Sequence, residues 1–326
     1  MFTMRFDMRV PGQSAAERAD SYAAAIEMAE WGESRGCAAV IVSEHHAVPD
    51  GYLPAPLILA TAIAARTTTL PIVIGAALLP LYEPARLAEE MIVLDHVSRG
   101  RVSYVFGIGY REEEYTLHGR EYAARGAIAD ATLDGLRAAL AAADAGGPGL
   151  HITPAPFTPG GPTIAWGGGS KPAARRAGSR GLDLWGSGNA PGVAEAYAEA
   201  AAAAGVTPGE CTLPEPGAVM TAFVSDDQDG AWAEIGPHLM NDVLSYGEWN
   251  AGNDNVASIS FAKTADELRA EAATHRIFTV DEAVDHVRTQ FVLPLHPLCG
   301  GVPPEAAWTY LRRVVDEVLP AAAAAQ

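Results

Sequence analysis

Four short groups of residues in this chain are of types that can do chemistry. Glu44-His45-His46 closes the apolar run Ala38-Ala39-Val40-Ile41-Val42. A strand sends successive side chains to opposite faces, so at most one of the two imidazoles can face a pocket directly. An imidazole there could move a proton near neutral pH, while spacing alone equally allows a hydrogen-bonded or surface histidine. Metal chelation fits poorly, because adjacent histidines on a strand diverge and no H-x-x-x-H spacing occurs. The second group, Trp166-Gly167-Gly168-Gly169-Ser170, ends a strand in glycines and opens a helix from Lys171 to Arg180. Free N–H groups at a helix start, the Ser170 hydroxyl and the positive end of the helix dipole make a phosphate site; a plain glycine turn is the alternative. Lys171, Arg175 and Arg176 either add positive charge to that site or form a solvated face. Third, Gly75-Ala76-Ala77 interrupts the apolar stretch Leu70 to Pro80 with small residues, which leaves room for a flat ligand or for tight packing. Fourth, Gly107-Ile108-Gly109 ends a strand and would let a ligand approach the backbone.

These groups need elements to hold them. Short apolar runs near 4–9, 38–43, 71–79, 101–108, 162–167, 182–186, 217–224 and 291–295 alternate with longer helical segments, the pattern of a parallel sheet with helical crossovers. Eight strands fit a closed (β/α)8 TIM barrel, an α/β fold that typically takes about 250 residues. The excess falls in two insertions, about 111–161 and 226–278. The second carries the polar passage Gly247-Glu-Trp-Asn-Ala-Gly-Asn-Asp-Asn255 and would overhang the carboxyl-end face of the barrel as a candidate lid. Ser14-Ala-Ala-Glu17 and Thr279-Val-Asp-Glu282 both have the capping-box form that starts a helix. Pro84 suits the first turn of another, which runs to His96 before the turn Ser98-Arg99-Gly100.

The stretch from Pro84 to Gly119 reads P-x-R-x-A-E-E, then L-D-x-x-S-x-G-R, then G-x-G. Taken with Glu44-His45-His46, it resembles the bacterial luciferase-like flavin monooxygenases, and five such motifs follow in the expected order along nearly the whole chain. That resemblance implies one luciferase-like barrel domain over residues 1–326. It implies reduced FMN delivered by a separate flavin reductase, O2 as cosubstrate, and oxidation of a small organic substrate through a peroxyflavin intermediate. His45 maps onto the first histidine of the family motif, beside the flavin ring. Gly168, Gly169 and Ser170 map onto the segment that holds the flavin 5′-phosphate. Gly75 and Ala76 map onto a non-proline cis peptide beneath the ring, and Glu44, Gly107 and Ile108 complete the cofactor-binding set. The resemblance also implies a homodimer. Two rival readings share it: a deazaflavin F420 hydride-transfer enzyme, and a non-catalytic flavin-binding paralogue. This chain departs from the luciferase pattern at Ile108, where the phosphate arginine stands, at Glu83, where a histidine stands, and at Ala47, where phenylalanine is common. Those changes count against the luminescent reaction and a long-chain aldehyde.

Composition sets the outer bounds. A chain of 326 residues with 49% hydrophobic content can bury a large core. Its net charge of −18 opposes nucleic acid and anionic membrane surfaces as partners. Met1 to Val10 contains no long apolar core and no uninterrupted apolar run approaches the length of a span, so a cytoplasmic protein is expected. Cys37, Cys211 and Cys299 are too widely spaced for a disulfide or metal pattern. His296 and Cys299 fall just past the last strand, where they could line the pocket; with no base paired to it, Cys299 reads as packing.

Overall fold

The computed structural model describes residues 1–147, 149, 151–215, 217–252, 256 and 259–324. Paired strands run parallel, and helices separate them along the chain, as the alternation of apolar runs and Ala-rich segments dictates. The chain divides into two compact units, Met1–Ile41 with Val48–Leu53 and Pro216–Gln326, and Val42–Ala47 with Pro54–Glu215.

The first unit contains β1 (Phe2–Phe6), α1 (Ala15–Glu33) and most of β2 (Cys37–Val42). Its second half begins after the second unit's strands and helices. The second unit supplies α2 (Pro56–Arg66), β3 (Ile72–Leu78), α3 (Pro84–Ser98), β4 (Val102–Gly107), α4 (Glu112–Leu117) and α5 (Arg125–Ala145). It continues through β5 (Ile164–Gly167), α6 (Lys171–Gly178), β6 (Asp183–Trp185), α7 (Val193–Ala204) and β7 (Cys211–Thr212), with strand order β7-β6-β5-β4-β3. Back in the first unit come β8 (Thr221–Val224), α8 (Gln228–Trp249), α9 (Ala265–Glu271), β9 (His275–Phe278), α10 (Val280–Gln290), β10 (Leu293–Leu295), α11 (Pro304–Arg313) and α12 (Leu319–Ala324). There β1 pairs β10, β10 pairs β8 and β8 pairs β9.

Eight strands were expected and ten are present among the described residues. The two additions are β7, only two residues long, and β9, whose His275-Arg276-Ile277-Phe278 lies inside the segment read as an insertion. Pairing with all four residues of β8 is what makes β9 a strand. Both anticipated capping boxes form, Ser14 with Glu17 and Thr279 with Glu282. In the 111–161 segment, α5 packs on α3, and the Gly/Pro-rich passage is pinned where Asp95 of α3 accepts from Thr158 N at 2.7 Å and Thr158 Oγ1 at 2.8 Å. The polar passage begins inside α8, which takes Gly247 to Trp249, and its Asn253, Asp254 and Asn255 lie outside the described residues. No described helix is long and apolar enough to cross a membrane.

Candidate active site

Ser43 to Ala47, directly after β2, belong to the second unit, together with the ends of β3, β4, β5 and β6. His45 and His46 lie past the end of β2, are both buried and turn to different partners. His45 Nδ1 lies 2.7 Å from Glu114 Oε1, and His45 Nε2 lies 3.1 Å from the Tyr110 hydroxyl. A carboxylate can only accept, so Nδ1 carries the proton and Nε2 accepts from Tyr110. Glu114 Oε1 also accepts from His46 N at 3.0 Å and stands 3.5 Å from Arg111 Nη1, while Arg111 donates to the His46 carbonyl at 2.6 Å. Burial pushes the Glu114 carboxyl up, but the hydrogen bond and charge of His45, the His46 N–H and Arg111 outweigh it and hold the group below its ordinary 4.5. Glu114 Oε2 is buried without a hydrogen-bond partner.

Glu44 faces the other way. Its carboxylate accepts from Leu78 N at 2.7 Å, Tyr82 Oη at 2.8 Å and His46 Nε2 at 2.8 Å. Three protein donors therefore meet the Glu44 carboxylate, and the one from Leu78 N ties it to the end of β3. On its far side Glu44 and His46 reach a cavity of about 530 Å³ between α2 and α3.

The second feature is a floor of small residues. Gly75 pairs with Val105 and Ala77 with Phe106, so Ala76 is the extra residue of a bulge in β3. The Gly75–Ala76 peptide is cis, as the family resemblance implied. A Cβ added to Gly107 would meet Ala76 Cβ at 3.6 Å, and one added to Gly167 would meet it at 3.7 Å. Gly107, Gly167 and the Ala76 methyl thus meet at one spot on three adjacent strands, with Val105 Cγ1 at its edge, 3.1 Å from a Cβ built on Gly167, and Gly75 and Ala76 there are only partly buried. Ile108, next along β4, is also partly exposed and accepts from Tyr115 Oη through its carbonyl.

Beyond β5 the chain turns through Gly168, at φ 133°, into α6. Gly169 sits against the Gly188 backbone, where a Cβ would lie 2.8 Å from N and 2.9 Å from Cα, so no other residue fits without moving that segment. Ser170 is the N-cap of α6 and accepts from Ala173 N at 3.3 Å. Its oxygen is thus used within the helix start, which leaves its own proton to donate. Of the three basic residues, Arg176 is bound to Asp130 at 2.8 Å and covers the Trp166 ring, whereas Lys171 and Arg175 are exposed.

His296 and Cys299 do not line an open pocket: both are fully buried in the first unit. Arg9 donates there to Asp50 at 2.8 Å and Asp242 at 3.2 Å, His275 Nε2 meets Asp242 at 3.0 Å, and His296 faces Asp7 at 3.3 Å. Burial drives the Cys299 thiol well up, so it packs as a neutral group, in line with its sequence reading. Sequence reasoning missed Glu114 and Tyr110 as partners of His45; the i, i+3 spacing of Arg111 and Glu114 was the available signal.

The chain matches the family described as luciferase-like monooxygenase over residues 2–294, and it belongs to that family. It is similar to the monooxygenase RslO1 from Streptomyces bottropensis, with TM-score 0.72 and 22% identity over 98% of this chain and 99% of that one. It is similar to the oxygenating constituent of 3,6-diketocamphane monooxygenase from Pseudomonas putida, a type II Baeyer-Villiger monooxygenase in complex with FMN, with TM-score 0.69 and 21% identity over 98% of each chain. The coenzyme F420 dependent tetrahydromethanopterin reductase from Methanopyrus kandleri shares the fold at TM-score 0.62 and 14% identity, again over 98% of each. These likenesses establish the luciferase-like TIM-barrel fold. Limonene 1,2-monooxygenase from Rhodococcus erythropolis is 33% identical over 84 residues, 26% of this chain and 21% of that protein. The matched stretches span roughly a quarter of the length of the curated relatives.

Proposed function

We propose that this chain is a flavin-dependent monooxygenase that uses reduced FMN and O2 to oxidise a small organic substrate. The observation that carries the reading is the pairing of a floor of small residues at Ala76, Gly107 and Gly167 with a buried, carboxylate-anchored histidine in the same unit. A flat ring fits such a floor, and Gly75, Ala76, Gly107 and Ile108 are the residues to hold it. Gly168, Gly169 and Ser170 would take its phosphate, with Lys171 and Arg175 near the helix start in place of the arginine that Ile108 replaces. When bound, reduced FMN supplies two electrons and the place at which O2 is activated. Glu114 keeps the His45 proton on Nδ1, so Nε2 is the atom at which a proton is taken up or returned, with Tyr110 next in line. Glu44 holds Leu78 and thereby the end of the strand that carries the bulge.

The FMN complex of the diketocamphane enzyme and the limonene monooxygenase support this choice. F420 hydride transfer is the second reading, drawn from the tetrahydromethanopterin reductase and from the missing phosphate arginine. We also place residues 1–326 in a single barrel domain, with the insertion at about 226–278 as a candidate lid, and we assign the chain a separate flavin reductase, a homodimeric state and the cytoplasm. Titration with FMN, reduced FMN and F420 side by side tests the reading. Binding of FMN, with oxygen uptake from its reduced form, is expected; binding of F420 alone, with anaerobic turnover, would replace it by hydride transfer.

A further inference from the structure

Trp185, the last residue of β6, has no part in the roles assigned so far. It is 44% exposed, whereas its neighbour Leu184 is 0%. β6 lies in parallel register with β5, Leu184 opposite Trp166 and Trp185 opposite Gly167. The two faces of β5 are easily told apart. Trp166 is buried, and the Arg176 guanidinium of α6 lies 5.0 Å from its ring centroid, so that face is the one the helix covers. Gly167 points the other way, toward Val105 Cγ1 and Ala76 Cβ. Residues opposite one another on neighbouring strands share a face, which places Trp185 beside the Ala76, Gly107 and Gly167 floor. The Trp185 carbonyl also accepts from Gly168 N at 3.2 Å, tying the indole's backbone to the glycine turn.

Nearly half of the largest aromatic side chain a protein can present is thus left in water at the edge of a floor of small residues. We propose that Trp185 is the aromatic wall of the pocket, and that it packs against a planar aromatic ring seated on that floor, either the flavin ring system or an aromatic substrate. Aromatic rings favour offset or edge-on partners of their own kind, and indole offers the widest face for either arrangement. This inference rests on the flavin-dependent reading above.

The test compares the parent chain with Trp185→Phe and Trp185→Leu, both at an exposed position where the thermal midpoint should hold. FMN is titrated first, followed by flavin emission and visible circular dichroism. A planar probe, 2-naphthol, is then titrated with FMN saturating. Leucine should weaken one of the two ligands by about tenfold and phenylalanine by threefold at most, on the scale of one aromatic contact. Loss in the FMN arm assigns the wall to the cofactor, and loss confined to the 2-naphthol arm assigns it to the substrate. Equal affinity of the parent and the leucine variant for both overturns the wall alone. A parent that binds no FMN overturns the functional reading and the wall with it.

Discussion

Replacing Glu114 by glutamine keeps the shape of a fully buried side chain and removes its charge. The amide oxygen must take the Oε1 position, because the amide nitrogen there would confront two donors, His45 Nδ1 and His46 N. Two charge-assisted hydrogen bonds then become neutral ones, a loss of about 1 kcal/mol each. The amide nitrogen inherits the unpartnered Oε2 position, so that penalty is present before and after and largely cancels. Stability should fall by about 2 kcal/mol, read as a shift in urea midpoint. Activity should fall further in proportion, because the imidazolium formed when His45 takes a proton at Nε2 loses the counter-charge that lies 2.7 Å from its Nδ1. A loss of about 2 kcal/mol in the transition state lowers turnover by roughly 30-fold, while FMN affinity stays within about threefold. The stability difference also has a pH signature. The folded-state Glu114 carboxyl lies below 4.5, so its contribution is complete above that pH and is lost as pH falls below it toward the folded value. Parent and glutamine variant should therefore converge in stability on the acid side of 4.5 and stay apart on the neutral side. A glutamine variant with parental turnover, measured alongside an inactive His45→Ala protein, would refute Glu114 as the residue that positions His45.

Three other substitutions separate chemistry, binding and folding. His45→Ala should cut turnover by about 100-fold or more and leave FMN titrations nearly unchanged, since the proposal assigns protons to the histidine and the ring to the floor. At Ser170 two changes are needed: alanine should cost about 1 kcal/mol of stability and weaken FMN by about 1 to 2 kcal/mol, whereas aspartate keeps the cap and should weaken FMN alone. Gly169→Ala would drive a methyl group against the Gly188 backbone, and a thermal midpoint equal to the parent's would show that the 186–189 segment yields more easily than the contact implies.

What could be read without coordinates was local. Helix starts announced themselves because Ser14 with Glu17, and Thr279 with Glu282, satisfy their own N–H groups within four residues. The glycine-rich strand ends were visible for the same reason, since a missing side chain is a property of one position. β9 was not visible, because His275-Arg276-Ile277-Phe278 has too few apolar residues to declare itself and becomes a strand only beside β8. The site divides along the same line. Glu112, Glu113 and Glu114 are indistinguishable in sequence, yet two are exposed at the start of α4 and the third is buried against a histidine 69 positions away. Glu44 shows the converse: its place in the motif pointed to the cofactor, and its three donors lie in the protein. A motif therefore identifies which titratable groups gather at a site, but the assignment of roles among them depends on which lone pairs long-range contacts have already taken. Here the Glu44 carboxylate already meets three protein donors, Glu114 accepts from His45 Nδ1, and His45 Nε2 is the atom on which the proposed proton chemistry turns.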